Sequence, residues 1–139
     1  DFIWASPTCT GFSNAYSAPM PTARREGKEY EPDMTLVQKC LDIIRWQNPK
    51  YWVIENVSGS SKYISKLLGR PPRQIIGPFF LWGNFPFISL SRDFEHRKAD
   101  LKLSTDHPLF TTIKARIPYE ISEAFLDAHE NQMTLADFL

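Results

Sequence analysis

The stretches DFIWASPTC (residues 1–9) and YWVIENV (residues 51–57) decide the fold of this 139-residue chain. Each is a short apolar run followed by polar or turn-forming residues, which is the pattern of a β-strand that ends in a loop. Both runs are apolar on both faces, as buried strands of a parallel sheet covered by helices are. The sequence therefore predicts parallel strands over 1–5 and 51–54 within an α/β fold.

A polar segment and a helix separate these two strands. Residues 8–32 are rich in Ser, Thr, Pro, Gly and Asn, and we predict a long loop there. A helix is predicted over 34–47, capped by Asp33 or Thr35. Its apolar stripe consists of Val37, Cys40, Leu41 and Ile44, widened by Leu36, Ile43 and Trp46.

The remainder of the chain has weaker patterns. Ser60 or Ser61 can begin a short helix that runs to Leu68, and residues 74–90 are aromatic and predicted to be extended. Pro118 suits the first position of a last helix. That helix would place three apolar residues on one side, namely Ile121, Phe125 and Leu126.

Composition excludes several classes of protein. A hydrophobic content of 42% excludes a disordered chain, and a length of 139 residues suits one compact domain. No apolar run approaches the roughly 20 residues that span a bilayer, and the given residues contain no signal-peptide pattern, so we expect no membrane partner. The two cysteines do not form a disulfide framework, and the three histidines lack metal-ligand spacing. We therefore expect a metal-free protein of the cytoplasm.

The formal net charge of zero conceals two regions of opposite charge. Residues 117–139 carry five acidic residues and no lysine or arginine. Residues 1–116 consequently carry all 16 basic residues against 11 acidic ones. Because of this excess of positive charge, a net charge of zero does not exclude a nucleic-acid partner.

The reactive side chains follow the two predicted strands. Cys9 lies in a turn-rich loop after the first strand, and Glu55 ends the second. Ligands of α/β sheets bind beyond the carboxyl ends of the strands, and a thiolate is a strong nucleophile. A cysteine paired with a carboxylic acid, without a histidine in either motif, suits sulfur attack on a ring whose nitrogen the acid protonates. The plainer alternatives are a small buried cysteine and a solvated glutamate.

The same residues carry a resemblance to a known family. Residues 1–13 (DFIWASPTCTGFS) resemble the catalytic Pro-Cys motif of the C5 cytosine-specific DNA methyltransferases, in a phage-like or prophage-like form. Residues 51–57 resemble the Glu-Asn-Val motif of this family, and residues 115–122 (ARIPYEIS) are similar to its C-terminal motif. The resemblance covers most of the chain and is firmest over residues 1–58.

The resemblance implies methyl transfer from S-adenosyl-L-methionine to carbon 5 of a cytosine flipped out of double-stranded DNA. Cys9 would attack carbon 6 of the ring and Glu55 would protonate N3. The implied substrate-binding residues are Asn56, Ser13, Arg92 and Arg97, and the implied cofactor-binding residues are Pro7, Leu36 and Ile117. Residues 10–32, with Arg24, Arg25 and Lys28, would close over the base and contact phosphates.

The chain also departs from the family pattern. Thr8 stands where the family has a proline before the nucleophile, and Lys114-Ala115 replace a Gly-Asn pair. The glycine-rich cofactor loop of the family does not occur in the sequence. We therefore expect a partial Rossmann-like methyltransferase sheet that lacks the first strands, completed by a segment before Asp1 or by a second chain. Within it, residues 1–58 form the core, 59–112 include little target-recognition region, and 113–139 form the C-terminal motif helix.

Two alternatives stay open on the sequence. The chain could be related to a tRNA cytosine-5 methyltransferase. It could also be a catalytically silent remnant or a partner subunit that binds nucleic acid. The absent cofactor loop favours the silent remnant, whereas the presence of both Cys9 and Glu55 favours catalysis.

Overall fold

The computed structural model describes residues 1–90, 108 and 115–131 of the chain. The chain divides into two compact units, Asp1–Phe85 and Pro86–Leu139. All the strands described belong to the first unit, together with three of the α-helices, and one further α-helix belongs to the second. The architecture is α/β, as the sequence predicts.

A four-stranded mixed sheet forms the centre of the first unit. Its strands are β1 (Phe2–Ala5), β2 (Tyr51–Asn56), β3 (Gln74–Ile76) and β4 (Phe79–Asn84), in the order β1-β2-β4-β3. The parallel pairing of β1 with β2 is confirmed. An entirely parallel sheet is not what the chain forms, because β3 and β4 are a hairpin and β4 runs antiparallel to β2. The two-residue connection at Gly77, whose φ is 54°, is too short to return the chain in parallel.

The expectation of a loop over residues 8–32 is wrong in part. A 3-10 turn occupies Thr10–Phe12, and the helix α1 occupies Pro19–Arg25. Proline at the first position favours this helix start, since its missing N–H has no intrahelical acceptor there. The polar composition of the segment conceals this helix because its seven residues bury none of their side chains.

The helix α2 (Thr35–Gln47) confirms the predicted element but not the width of its apolar face. Val37, Leu41 and Ile44 are buried and join the core of the first unit, whose other members are Phe12, Ile54, Ile64 and Trp82. Cys40 packs against this core. The residues expected to widen the stripe are exposed instead: Leu36 by 54%, Ile43 by 53% and Trp46 by 80%. A helix that packs on one side of a sheet buries only one stripe.

The predicted N-caps of α2, Asp33 or Thr35, are wrong, because Met34 takes that position and makes no side-chain cap bond. The Asp33 carboxylate accepts a hydrogen bond from the Thr35 backbone N–H at 2.8 Å, and Asn48 ends α2 in the left-handed conformation. The helix α3 (Ser61–Leu68) ends at Gly69, also left-handed, and follows a 3-10 turn over Ser58–Ser60. The predicted short helix to Leu68 is thus confirmed.

The strand β1 is less buried than expected. It stands first in the strand order of the described sheet, so β2 is its one strand neighbour there. Phe2 is 41% exposed, and the other three residues are half-buried. The expectation of a buried strand is wrong for β1, whereas Val53 and Ile54 of β2 are fully buried.

In the second unit, the helix α4 (Tyr119–Glu130) confirms the last predicted helix. Pro118 is its N-cap rather than its first helical residue. Ile121 and Phe125 are buried as expected, but Leu126 is 54% exposed, and Ala124 takes the buried position instead. Among the residues described in either unit, no helix has the length and apolar character to cross a membrane.

Candidate functional site

The parallel pairing brings the carboxyl ends of β1 and β2 to the same edge of the sheet. Ala5 pairs with Ile54 in register. The next residues along the two chains are Ser6 and Pro7 after β1, beside Glu55 and Asn56 at the end of β2. The residues that follow β1 therefore lie beside the end of β2 at this edge, where α/β sheets bind their ligands.

Asn56 holds the two strand ends together. Its side chain is buried, and its amide Nδ2 donates a hydrogen bond to the Pro7 carbonyl oxygen at 2.9 Å. Its Oδ1 accepts from the Val57 backbone N–H, also at 2.9 Å. One amide thus places the residues before Cys9 and shapes the turn after Glu55 at the same time.

The turn after β2 packs directly on the turn that follows Cys9. The Ser60 hydroxyl, fully buried, donates to the Val57 carbonyl oxygen at 2.7 Å and tightens the 3-10 turn over Ser58–Ser60. A Cβ atom placed on Gly59 would lie 1.9 Å from the Phe12 carbonyl oxygen. Only glycine permits this approach between the two turns.

Cys9 is exposed, and the turn that follows it is fixed by hydrogen bonds and by the buried Phe12 ring. Its carbonyl oxygen accepts from the Phe12 backbone N–H at 2.9 Å, and the Phe12 ring is buried in the core. The Tyr30 hydroxyl donates to the Gly11 carbonyl oxygen at 3.0 Å. The backbone is therefore fixed on both sides of Cys9, while its thiol stays accessible to a reactant.

Glu55, at the end of β2, is buried, with 8% of its surface exposed. This burial raises the pKa of its carboxyl group, because desolvation disfavours the charged form. A hydrogen bond from the Ser6 side chain opposes the shift and lowers the pKa. A carboxyl group with a raised pKa retains its proton more readily and can serve as a general acid.

The basic segment after Cys9 is partly engaged within the chain. Lys28 forms an ion pair of 2.7 Å with Glu26, and the Arg25 guanidinium lies 3.9 Å above the centre of the Tyr16 ring. Tyr16 is 79% exposed, so this stacked pair faces solvent. Arg24 is exposed beside it at the end of α1.

The other predicted site residues lie outside the two strands or outside the described part of the chain. Ser13 is half-buried, and its hydroxyl accepts from the Ala15 backbone N–H at 3.1 Å. Leu36 is exposed near the start of α2, and Ile117 is half-buried before α4 in the second unit. The predictions for Arg92 and Arg97 fall on residues that the structure does not describe.

Two of the residues assigned to the cofactor lie in the first unit. The carbonyl oxygen of Pro7 accepts from Asn56, and the Leu36 side chain is 54% exposed. A groove of about 250 Å³ lies at the amino end of β2, lined in part by Leu41, Arg45 and Trp52, and contains neither Cys9 nor Glu55. The described residues include no cluster of three metal-ligating side chains.

Sequence reasoning missed three residues of the site. Ser6 bonds to Glu55, Gly59 permits the contact between turns, and Tyr30 holds the Cys9 turn. Ser6 lies inside the first motif and Gly59 two residues after the second, so both could have been noticed by position. Tyr30 is 21 residues from Cys9 along the chain and has no local signal.

Comparison with known proteins adds no relative to this picture. No protein-family model matches the chain, and no curated protein or solved structure is significantly similar to it. The strand-end geometry and the two motifs are therefore the features of this chain that bear on its function.

Proposed function

We propose that the chain is the catalytic-loop portion of a DNA cytosine-5 methyltransferase with a partial Rossmann-like sheet. The observation that supports this most directly is the joining of the two motifs at one sheet edge. Asn56 of the second motif bonds to Pro7 of the first, so Cys9 and Glu55 leave the sheet from adjacent strands. A nucleophile and an acid placed in this way could act on the same small ring.

The chemistry assigns a separate role to each of the two residues. The Cys9 thiolate adds to carbon 6 of cytosine, and Glu55 donates its proton to N3, which leaves carbon 5 as a nucleophilic enamine carbon. Carbon 5 then takes up an electrophile. Loss of the original carbon-5 proton to water leaves its electron pair in the carbon 5–carbon 6 double bond and expels Cys9 as a thiolate. The N3 proton returns to Glu55, so the enzyme is regenerated.

The environment of Glu55 suits this role. A solvated glutamate is ionised near neutral pH and is a poor proton donor, whereas burial raises the pKa of Glu55. S-adenosyl-L-methionine, the cofactor that the resemblance implies, supplies an electrophilic methyl group when bound. Pro7, Leu36 and Ile117 would contribute to its binding, and an upstream segment or a second chain would supply the rest of the cofactor site.

Double-stranded DNA is the proposed partner. A cytosine inside a duplex does not expose carbon 6 to a thiol, so the base must be flipped out. The exposed Arg24 and the exposed stack of Arg25 on Tyr16 lie on the segment that follows Cys9. Guanidinium groups bind phosphates and aromatic rings stack on bases, which supports contact with nucleic acid there.

Tritium release from DNA that contains [5-³H]cytosine tests the proposed chemistry. Addition at carbon 6 and protonation at N3 allow carbon 5 to exchange its hydrogen with water, so the assay needs no methyl donor. We expect the full protein encoded by the gene to release tritium into water. When S-adenosylmethionine is added, tritium release should increase or be accompanied by methylated cytosine in the DNA. Cys9→Ser should abolish release, and Glu55→Gln should lower it by about two to four orders of magnitude.

Cys40→Ser is the matched control, because Cys40 packs against the core on α2 and lies outside both motifs. It should leave tritium release unchanged. Absence of release from any substrate, or equal release by Cys9→Ser, contradicts the proposal. Release from tRNA and not from DNA would assign the chain to the RNA-modifying alternative, and binding of DNA without release would assign it to the silent remnant.

A further inference from the structure

Trp4, Ser6 and Glu55 form a connected series of side chains across β1 and β2. Trp4 and Ser6 are two residues apart at the end of β1, so they point to the same face. The Trp4 indole Nε1 donates to the Ser6 hydroxyl oxygen at 2.8 Å. Register with β2 places Ser6 beside Glu55, whose carboxyl group interacts with the Ser6 side chain.

When the Glu55 carboxyl group is ionised, the donors and acceptors of these three side chains allow only one direction of hydrogen bonding. An indole N–H can only donate, so it occupies a lone pair of the Ser6 oxygen and leaves the hydroxyl proton unused by that contact. An ionised carboxylate can only accept. The hydroxyl proton of Ser6 is therefore the one that reaches Glu55, and the indole restricts the rotation of that hydroxyl.

The geometry points to Ser6 as a positioning residue for the Glu55 carboxyl group, with the Trp4 indole holding the Ser6 hydroxyl in place. This inference rests on the proposed role of Glu55 as the acid. One carboxyl oxygen would be held by Ser6, which leaves the other for the N3 proton of the substrate ring. Ser6 would contact neither the base nor the thiol.

The groups around Glu55 make the effect of Ser6 separable from other influences. On β4 the residue in register with Glu55 is Leu81, which is apolar and fully buried. On β1 the neighbour is Ser6, beyond the apolar Ala5. Burial and the Ser6 hydrogen bond are the causes that act on the pKa of Glu55, and no charged side chain of the described residues contributes.

Direct titration of the Glu55 carboxyl carbon by ¹³C NMR, assigned by its loss in Glu55→Gln, tests the inference without requiring activity. Ser6→Val and Ser6→Thr are nearly equal in shape and differ in the hydroxyl group. Ser6→Val should raise the pKa of Glu55 further, because it removes the bond that stabilises the charged form. Ser6→Thr should retain the wild-type titration. Trp4→Phe should also move it upward, because the hydroxyl is no longer held.

Ser65→Ala is the matched control. The Trp82 indole donates to the Ser65 hydroxyl at 3.2 Å, so this variant removes the same kind of bond elsewhere in the first unit. It should leave the Glu55 titration unchanged. An unchanged titration in Ser6→Val, or an equal shift in Ser65→Ala, overturns the positioning role. Should Ser6→Val fail to fold, Ser6→Ala provides the same comparison with less steric change.

The exchange assay separates this inference from the proposed function. Ser6→Val should lower tritium release about tenfold, the effect expected for loss of one hydrogen bond to a charged group, and Ser6→Thr should restore it. A shifted titration with no tritium release in wild type refutes the proposed function alone. Normal release in wild type with an unshifted titration in Ser6→Val refutes the role of Ser6 alone.

Discussion

Replacing Asn56 with alanine removes both hydrogen bonds that join the ends of β1 and β2. The Pro7 carbonyl oxygen loses its donor and the Val57 N–H loses its acceptor, each from a bond of 2.9 Å. Asn56 is 1% exposed, so the truncated side chain also leaves a small buried space. The change affects the turn before Cys9 and the turn after Glu55 together.

The expected cost follows from these two unpaired groups. A buried polar group that loses its partner costs about 1–3 kcal/mol. Pro7 and Val57 are half-buried, so water can partly replace the missing amide and the lower half of that range applies. We expect Asn56→Ala to reduce the free energy of unfolding by about 2–4 kcal/mol, a large share of the 5–15 kcal/mol typical of a domain.

Urea unfolding followed by tryptophan fluorescence measures this loss, and Asn84→Ala is its matched control. The Asn84 Nδ2 donates to the Lys50 carbonyl oxygen, also at 2.9 Å, but Asn84 is exposed. Water can satisfy the groups freed by Asn84→Ala, so that variant should lose less than about 1 kcal/mol. A loss in Asn56→Ala no larger than in Asn84→Ala would refute the reasoning, because Asn56 would then not join the strands.

Three further outcomes are expected. Burial raises the pKa of Glu55 above its usual 4.5. The contribution of Glu55 to stability is therefore complete below that value and is lost as the pH rises through the pKa of the folded state. The urea midpoint of the wild type should fall over this pH range, and Glu55→Gln should reduce the fall. Parallel curves of midpoint against pH for the two proteins would contradict this expectation. Gly59→Ala should cost about 1–3 kcal/mol, because its Cβ would meet the Phe12 carbonyl oxygen at 1.9 Å, and an unchanged midpoint would contradict that contact. Trp82→Ala, at a fully buried site, should reduce the free energy of unfolding by about 3–5 kcal/mol. Trp46→Ala, at a site 80% exposed, should change it by less than about 0.5 kcal/mol. Similar losses in the two variants would contradict the difference in burial between these tryptophans.

The elements with strong local patterns could be predicted without the structure. The strand predicted over 51–54 and the helix predicted over 34–47 form as β2 and α2, close to those bounds. Residues 74–90 are predicted only to be extended, whereas the structure forms the hairpin of β3 and β4 within 74–84. The helix α1 could not be predicted, since its residues bury no side chain and so leave no apolar period. The predicted width of the apolar stripe on α2 is wrong for a related reason. An apolar residue such as Trp46 can remain exposed when no other part of the protein packs against it.

The sequence indicated Cys9 and Glu55 as candidate site residues, but it could not predict the contacts around them. Cys9 and Glu55 stand out because each follows an apolar run, which is a local property of the chain. The bond from Asn56 to Pro7 joins residues 49 positions apart, and the Tyr30 bond to Gly11 joins residues 19 apart. Such pairs depend on strand register and on loop return, and neither leaves a trace in a short window of sequence.

By itself, the sequence determined that two apolar strands end in reactive residues and that a helix lies between them. Hydrophobic periodicity and turn chemistry act over a few residues, so they can be read along the chain. Tertiary structure alone decided that Ser6 lies beside Glu55 and that Gly59 lies against Phe12. These relations arise from packing between distant segments. The burial that raises the pKa of Glu55 is likewise a property of the folded chain, because an isolated strand would leave its carboxyl group in water.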